Sequence, residues 1–252
     1  MVTKFHNGKI YLGDGRYSPE CYVDDAGVIT TQRRYYEADV REEVDLEGKL
    51  LVPAFRDAHA HPLFAGRERL GAQITGLKSV ADIGQTLQKY LAAHPDCIWL
   101  DGASYDRNLA EPKTRQALDA YVADVPVILH AEDHHTLWVN TKALEVTGLL
   151  TKDLPKLTEG GIDLDTDGLP SGVLREWQAM QLVLSKAPKF SLEQDIQALL
   201  DAETLLLESG IVDVQDAWIE RGMAEVYLAA AGKLKLDYKL AFRVDAHNAD
   251  DD

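Results

Sequence analysis

What the sequence has little of narrows it first. Cysteine occurs twice in 252 residues, at Cys21 and Cys97, far apart and outside any Cys-x-x-Cys spacing. That argues against a disulfide framework and suits a reducing compartment. Basic residues are outnumbered, 26 Lys and Arg against 42 Asp and Glu, for a formal charge of −16. A nucleic-acid footprint and an anionic-membrane surface are therefore not expected. No stretch approaches the roughly 18 apolar residues of a membrane span, and Met1–Gly8 has no charged-then-apolar leader. A soluble, cytoplasmic protein is expected. Gly-x-Gly-x-x-Gly and Walker sequences are missing, so no loop is built for nucleotide phosphates. A Gly-x-Ser-x-Gly elbow is missing too, which leaves nucleophilic serine catalysis without a candidate.

What is present is ample core material, 46% hydrophobic residues, enough for one large domain or a small domain with part of a larger one. Residues 1–52 read as short strands joined by tight turns, a small β module. Asn7-Gly8 signals a hairpin, and Asp24–Gly27 and Glu47-Gly48 are further turns. Gly13-x-Gly15 is another turn, and His6 is expected on the surface. From 53 to 252 apolar strands alternate with helices, the pattern of parallel βαβ units.

The rest of the chain is organised around Leu50–Pro62, an apolar run that ends in His59-Ala60-His61-Pro62. In a strand, side chains alternate, so His59 and His61 point to one side and two imidazoles can ligate a divalent ion. Asp57 shares that face as a candidate partner for a ring nitrogen. Val80–Ala93 has the period of an amphipathic helix capped by Ser79 and ended by His94-Pro95. Strand 97–100 then leads into a polar loop, Asp101–Leu109. Helix 114–123 and strand 125–131 follow. Glu132–Asn140 packs acids and histidines before an indole and an amide, the composition of a polar pocket wall. It also suits an ordinary loop with Asn140-Thr141 capping helix 142–147. Within it His135 is the stronger candidate, and His134 faces solvent.

Residues 151–170 are turn-rich, and Ser171–Trp177 leads into a helix towards Leu184. Glu176 reads either as a pocket carboxylate or as a first-turn acid favoured by the helix dipole. Helix 191–208 opens on a capping box of Ser191 and Gln194. Strand 210–216, helix 217–231 and strand 236–244 complete the pattern, and Asp250-Asp251-Asp252 reads as a disordered acidic end. His59/His61, Asp106, Asp133/His135 and Asp216 all fall at expected strand C-terminal ends. That is where a (β/α)₈ barrel carries its functional groups.

Taken together these segments resemble the amidohydrolase superfamily, in its large-insert branch of N-substituted formamide deformylase-like enzymes. The blocks that carry the resemblance are Pro53-Ala54-Phe55-Arg56-Asp57-Ala58-His59-Ala60-His61-Pro62, Asp133–Leu144, Asp167–Glu176 and Gly210–Asp216. Ala54-Phe55-Arg56 departs from the family's Gly-Phe-Ile/Val, and His134 replaces a glycine. The resemblance implies a β-sandwich beside a (β/α)₈ barrel, and one or two divalent metals, zinc first, that activate water against an amide-like C–N bond. It implies His59 and His61 as metal ligands. It places His135, Trp138, Asn140 and Glu176, with Asp106 and Asn108, around the substrate. The family's later ligands, a middle-strand lysine, histidines of strands five and six and an aspartate of strand eight, have no counterpart here. His247 does not match a family ligand block. The expectation is thus an α/β chain holding about the first half of a TIM-type barrel, an incomplete hydrolase. Its partners would be a small-molecule substrate and either a second copy or a complementing half-chain. A non-catalytic remnant that associates through its open edge is the alternative.

Overall fold

The computed structural model describes residues 2–31 and 39–244, so His247 and Asp250–Asp252 lie outside the described residues. Two compact units emerge, Met1–Arg56 with Gly210–Val212, and Asp57–Ser209 with Asp213–Asp252.

The described part of the first unit is built from β1 (Val2–His6), β2 (Lys9–Gly13), β3 (Arg16–Ser18), β4 (Cys21–Asp24), β5 (Ile29–Thr30), β6 (Val40–Asp45) and β7 (Leu50–Leu51). They form one sheet in the order β5-β4-β1-β6 and another in the order β3-β2-β7. Asp14 and Gly15 close the β2–β3 hairpin with φ of 52° and 73°. Positive φ at both central residues matches the twist of the flanking strands, and glycine takes it without strain. Asn7-Gly8 also turns the chain, but β1 and β2 enter different sheets rather than pairing. The turn's hydrogen bonds go elsewhere: Asn7 Nδ2 donates to Asp45 Oδ1 at 2.7 Å, and its carbonyl accepts from the Gly48 amide at 2.7 Å. His6 is half-buried with Nε2 3.4 Å from Glu43, so it is not the free surface residue expected.

In the second unit strands and helices alternate: β8 (Phe55–Ala60), α1 (Pro62–Leu70), β9 (Ala72–Gln73), α2 (Val80–Ala93), β10 (Leu100–Tyr105), α3 (Arg115–Asp119) and β11 (Val127–Ala131). There follow β12 (Thr136–Val139), α4 (Thr141–Thr147), β13 (Gly161–Leu164), β14 (Pro170–Arg175) and α5 (Glu176–Leu184). The last elements are α6 (Leu192–Glu208), β15 (Ile211–Ile219), α7 (Met223–Ala230) and β16 (Asp237–Phe242). The strands β9, β10 and β11 are parallel neighbours, and β12, β14 and β13 extend their sheet with antiparallel pairing. A second sheet has the order β16-β15-β8, with β15 and β16 parallel. Among the described residues no helix is long and apolar enough to cross a membrane.

The helices start where their caps dictate. Ser79 accepts from the Asp82 amide, and the Ser191–Gln194 box is complete. Helix α2 buries Ile83 and Leu87, each contributing ~1.5–3 kcal/mol of apolar transfer, against a core that includes Leu100, Leu129 and Trp138. Along β11 the buried neighbours Ile128 and Leu129 belong to different clusters, as alternation requires. Helices α1 and α6 cross closely: a Cβ on Gly66 would lie 1.9 Å from the Ala198 carbonyl oxygen. Beside that crossing Arg67 holds Asp195 with two hydrogen bonds of 2.7 and 2.9 Å.

Five segments depart from expectation. Gly161–Leu164 is a strand inside the turn-rich stretch, and β15 runs on through 217–219 where a helix was expected, so that α7 begins only at Met223. The strand expected over 97–100 runs instead over Leu100–Tyr105, Thr136–Val139 is a strand inside the expected loop, and Pro170–Arg175 is a strand rather than a helix start. In each case the segment is held by ladder bonds to a neighbour distant in sequence, which local propensity does not encode.

Candidate active site

The histidine pair sits where alternation puts it. His59 is in β8, and His61 stands at the N-cap of α1, where Pro62 begins the helix. Their rings are 5.2 Å apart, edge to face. Asp57 does not reach a ring nitrogen; its Oδ1 accepts from the His59 backbone amide at 3.0 Å. The ring partner is Asp216, whose Oδ1 is 3.5 Å from His61 Nδ1. That nitrogen is buried and makes no hydrogen bond among the described residues. Asp216 lies inside β15 rather than at its end, and is fully buried. Two donors hold it: the Trp218 amide reaches Oδ1 at 3.1 Å and the Tyr227 hydroxyl reaches Oδ2 at 2.6 Å. Burial, then the bond to Asp216, drives the Tyr227 phenol well above its usual range, so it stays a donor.

A carboxylate that accepts from one ring nitrogen fixes the imidazole and leaves the other nitrogen to ligate, the usual support of a metal-bound histidine. Asp216 stands beside that position, 3.5 Å from His61 Nδ1 without a hydrogen bond. The donors present therefore fit two ligands of a divalent ion. They do not complete a set, because no group of three His, Cys, Asp or Glu side chains converges to hold an ion among the described residues.

The remaining expected residues fall into two groups. Beyond the end of β10, Asp106 pairs with Lys78 at 2.8 Å, and that bond holds its carboxyl below the usual range. Asp133 pairs with Arg107 at 2.7 Å and accepts from the His135 amide. His135 Nδ1 is 2.9 Å from Glu176 Oε2, and this hydrogen bond raises the imidazole pKa. Glu176 opens α5 with φ of 65° and donates its own amide to the His135 carbonyl. A cavity of about 200 Å³ opens here, lined by Tyr105, Arg107, Asn108, Lys113, Asp133 and Arg175 among others.

Trp138 and Asn140, expected in a pocket wall, are instead in the core and fully buried. The Trp138 indole donates to the Thr114 carbonyl at 2.9 Å and its ring meets Tyr105 edge-on. Asn140 Oδ1 accepts from the Val127 and Ala143 amides, and Nδ2 donates to the Val122 and Val125 carbonyls. With every polar atom engaged by the chain itself, neither has a group left for a ligand.

Sequence reasoning missed a half-buried titratable cluster between α1 and the β10–β11 pair. Burial, then the Glu68 charge, pushes Asp101 up to about 7. Burial, then nearby His134, pushes His130 down to about 4. His130 Nε2 and Asp101 Oδ1 are 3.8 Å apart, His134 Nδ1 is 3.2 Å from Glu68, and Ser104 donates to Glu68 at 3.3 Å. His134 is thus half-exposed but not idle in solvent. The available signal was alternation: Asp101 pairs in register with Ile128, and His130 lies two residues on, on the same face.

A family profile described as "Amidohydrolase family" matches residues 42–252. The chain is 28% identical over 263 residues to an exoenzymes regulatory protein, AepA, of Pectobacterium carotovorum subsp. carotovorum, covering 97% of this chain and 56% of that protein. It is 31% identical over 213 residues to a putative amidohydrolase, YtcJ, of Bacillus subtilis (strain 168), covering 80% of this chain and 40% of that protein. Among solved structures, an uncharacterized metal-dependent hydrolase from Pyrococcus furiosus superposes with a TM-score of 0.64 at 20% identity, over 96% of this chain and 50% of that one. The chain spans about half the length of the proteins it matches.

Proposed function

The chain belongs to the amidohydrolase family, and from that premise we propose a metal-dependent hydrolase-like protein that directs water at an amide-type C–N bond, in a form holding only part of the metal-ligand set. The observation that carries this reading is the His59–His61 pair with buried Asp216 beside His61. His59 and His61 would hold the ion through ring nitrogens, and Asp216, fixed by Trp218 and Tyr227, would keep the His61 ring turned towards it. A bound divalent ion supplies a water of lowered pKa and polarises a carbonyl oxygen; zinc suits an imidazole pair. His135, whose Nδ1 is engaged by Glu176, would turn its other ring nitrogen to substrate.

Within this reading the second unit is the early part of a (β/α)₈ barrel and the first a β-sandwich. Support comes from parallel β9, β10 and β11, from parallel β15 and β16, and from the two sheets of the first unit. Free Cys21 and Cys97 suit the cytoplasm. A second reading is association with a chain that supplies the family's remaining strands. The edge strand β16 favours it, having one sheet neighbour among the described residues and ending beside exposed Phe242 and Val244.

Equilibrium dialysis of the purified chain against zinc, read by elemental mass spectrometry, tests the first reading. Zinc uptake is expected in the wild type and lost in the His59→Ala, His61→Ala double variant. Uptake unchanged by the double substitution, or none in the wild type at any soluble zinc concentration, would overturn it.

A further inference from the structure

The cavity beyond β10 is charged against the trend of the whole chain. In a protein of net charge −16 it gathers Arg107, Lys113 and Arg175 against one lining carboxylate, Asp133. Two of those cations are already neutralised. Arg107 pairs with Asp133 at 2.7 Å, and Arg175 grips Asp163 through Nη2 at 2.7 Å and Nε at 3.1 Å. Lys113 differs: its half-buried ammonium donates to the Leu109 carbonyl at 3.3 Å and pairs with no carboxylate among the described residues. Tyr105 supplies a second, independent observation. It is fully buried, it lines the cavity, and its hydroxyl has no hydrogen-bond partner among the described residues. Asp133 and Arg175, whose charges act on that hydroxyl, line the same cavity as Tyr105. A buried donor left unpaired in a polar cavity marks a place for an acceptor.

We propose that this cavity is a binding site for small monocarboxylates, with Lys113 Nζ and the Tyr105 hydroxyl as the two donors to the carboxylate. One positive charge, that of Lys113, remains after the two ion pairs, and it matches a monoanion rather than a phosphate dianion. The volume, about 200 Å³, lies below the roughly 300–1,000 Å³ of sites for larger ligands, so the occupant is a small acid or the acid end of a longer molecule. No covalent step is involved, and the site stands whether or not the histidine pair holds metal.

The test is an NMR titration of the chelator-treated chain with propionate, its neutral isostere propionamide, and inorganic phosphate. Propionate is expected to bind saturably, with propionamide and phosphate at least about tenfold weaker, the difference of one charge-assisted hydrogen bond. Lys113→Met and Tyr105→Phe should each weaken propionate about tenfold. Tyr105→Phe should not lower the melting temperature, since it removes a hydroxyl that has no partner. Equal binding of propionamide, tighter binding of phosphate, or propionate binding indifferent to both substitutions would overturn the assignment. So would a Tyr105→Phe protein that melts several degrees lower, since the hydroxyl would then have an internal partner.

Discussion

Replacing Asn140 decides whether this residue supports the fold or contacts a ligand. Its side chain makes four hydrogen bonds, three buried and one part-buried: it accepts from Val127 and Ala143 at 3.0 and 2.9 Å, and donates to Val122 at 2.9 Å and to the part-buried Val125 carbonyl at 2.9 Å. Asn140→Ala removes the N-cap of α4, typically ~1 kcal/mol. It also orphans a strand amide and two carbonyls, each at about 1–3 kcal/mol when buried. Simple addition reaches roughly 4–10 kcal/mol, and water entering the vacated volume would recover part of it. A loss of about 4 kcal/mol is therefore expected, a large fraction of the roughly 5–15 kcal/mol of a domain. Asn140→Asp keeps both acceptor bonds but loses the donors and buries a charge. It should cost more at pH 8 than at pH 5, where the carboxyl can hold a proton and donate once. Urea unfolding followed by tryptophan fluorescence measures both, since Trp138 lies two residues away in the same core. An Asn140→Ala protein that loses less than about 1 kcal/mol would refute the reasoning and return Asn140 to the pocket.

Two further substitutions probe the cluster and the helix crossing. Asp101 has its carboxyl raised to about 7, so the native state keeps a proton that the unfolded chain, at 3.8, has lost; its contribution to stability falls as pH rises from about 4 to 7. Asp101→Asn should match the wild type near pH 4 and exceed it progressively up to pH 7. The ceiling of about 4 kcal/mol shrinks to ~2 because 36% of the side chain meets solvent. Denaturation across that range checks it, and a pH-independent difference would refute it. Gly66→Ala forces a methyl to 1.9 Å from the Ala198 carbonyl oxygen. The expected loss is at least ~2 kcal/mol despite a helix-propensity gain of about 1 kcal/mol, whereas Gly232→Ala, with open space, should be near neutral in the same melting assay.

What the sequence determined by itself was local. The helices Val80–Ala93 and Leu192–Glu208 were legible because a cap and a period are written in adjacent residues. The facing of His59 and His61 was legible because alternation is a property of any strand. The turn Asp14-Gly15 followed from the same local logic, as did His94 at the end of α2. The parting of β1 from β2, the strands β12 and β14, and the shift of the strand expected at 97–100 to Leu100–Tyr105 were not legible, because strand pairing is settled by neighbours far along the chain. The site divided along the same line. Residue type and spacing marked the histidine pair and the acids near strand ends. Only the tertiary structure set Asp216 against His61, sealed Trp138 and Asn140 in the core, and brought Glu68, Asp101, His130 and His134 together. Burial and a partner's charge exist only once separate elements pack, and they decide what a titratable side chain can do.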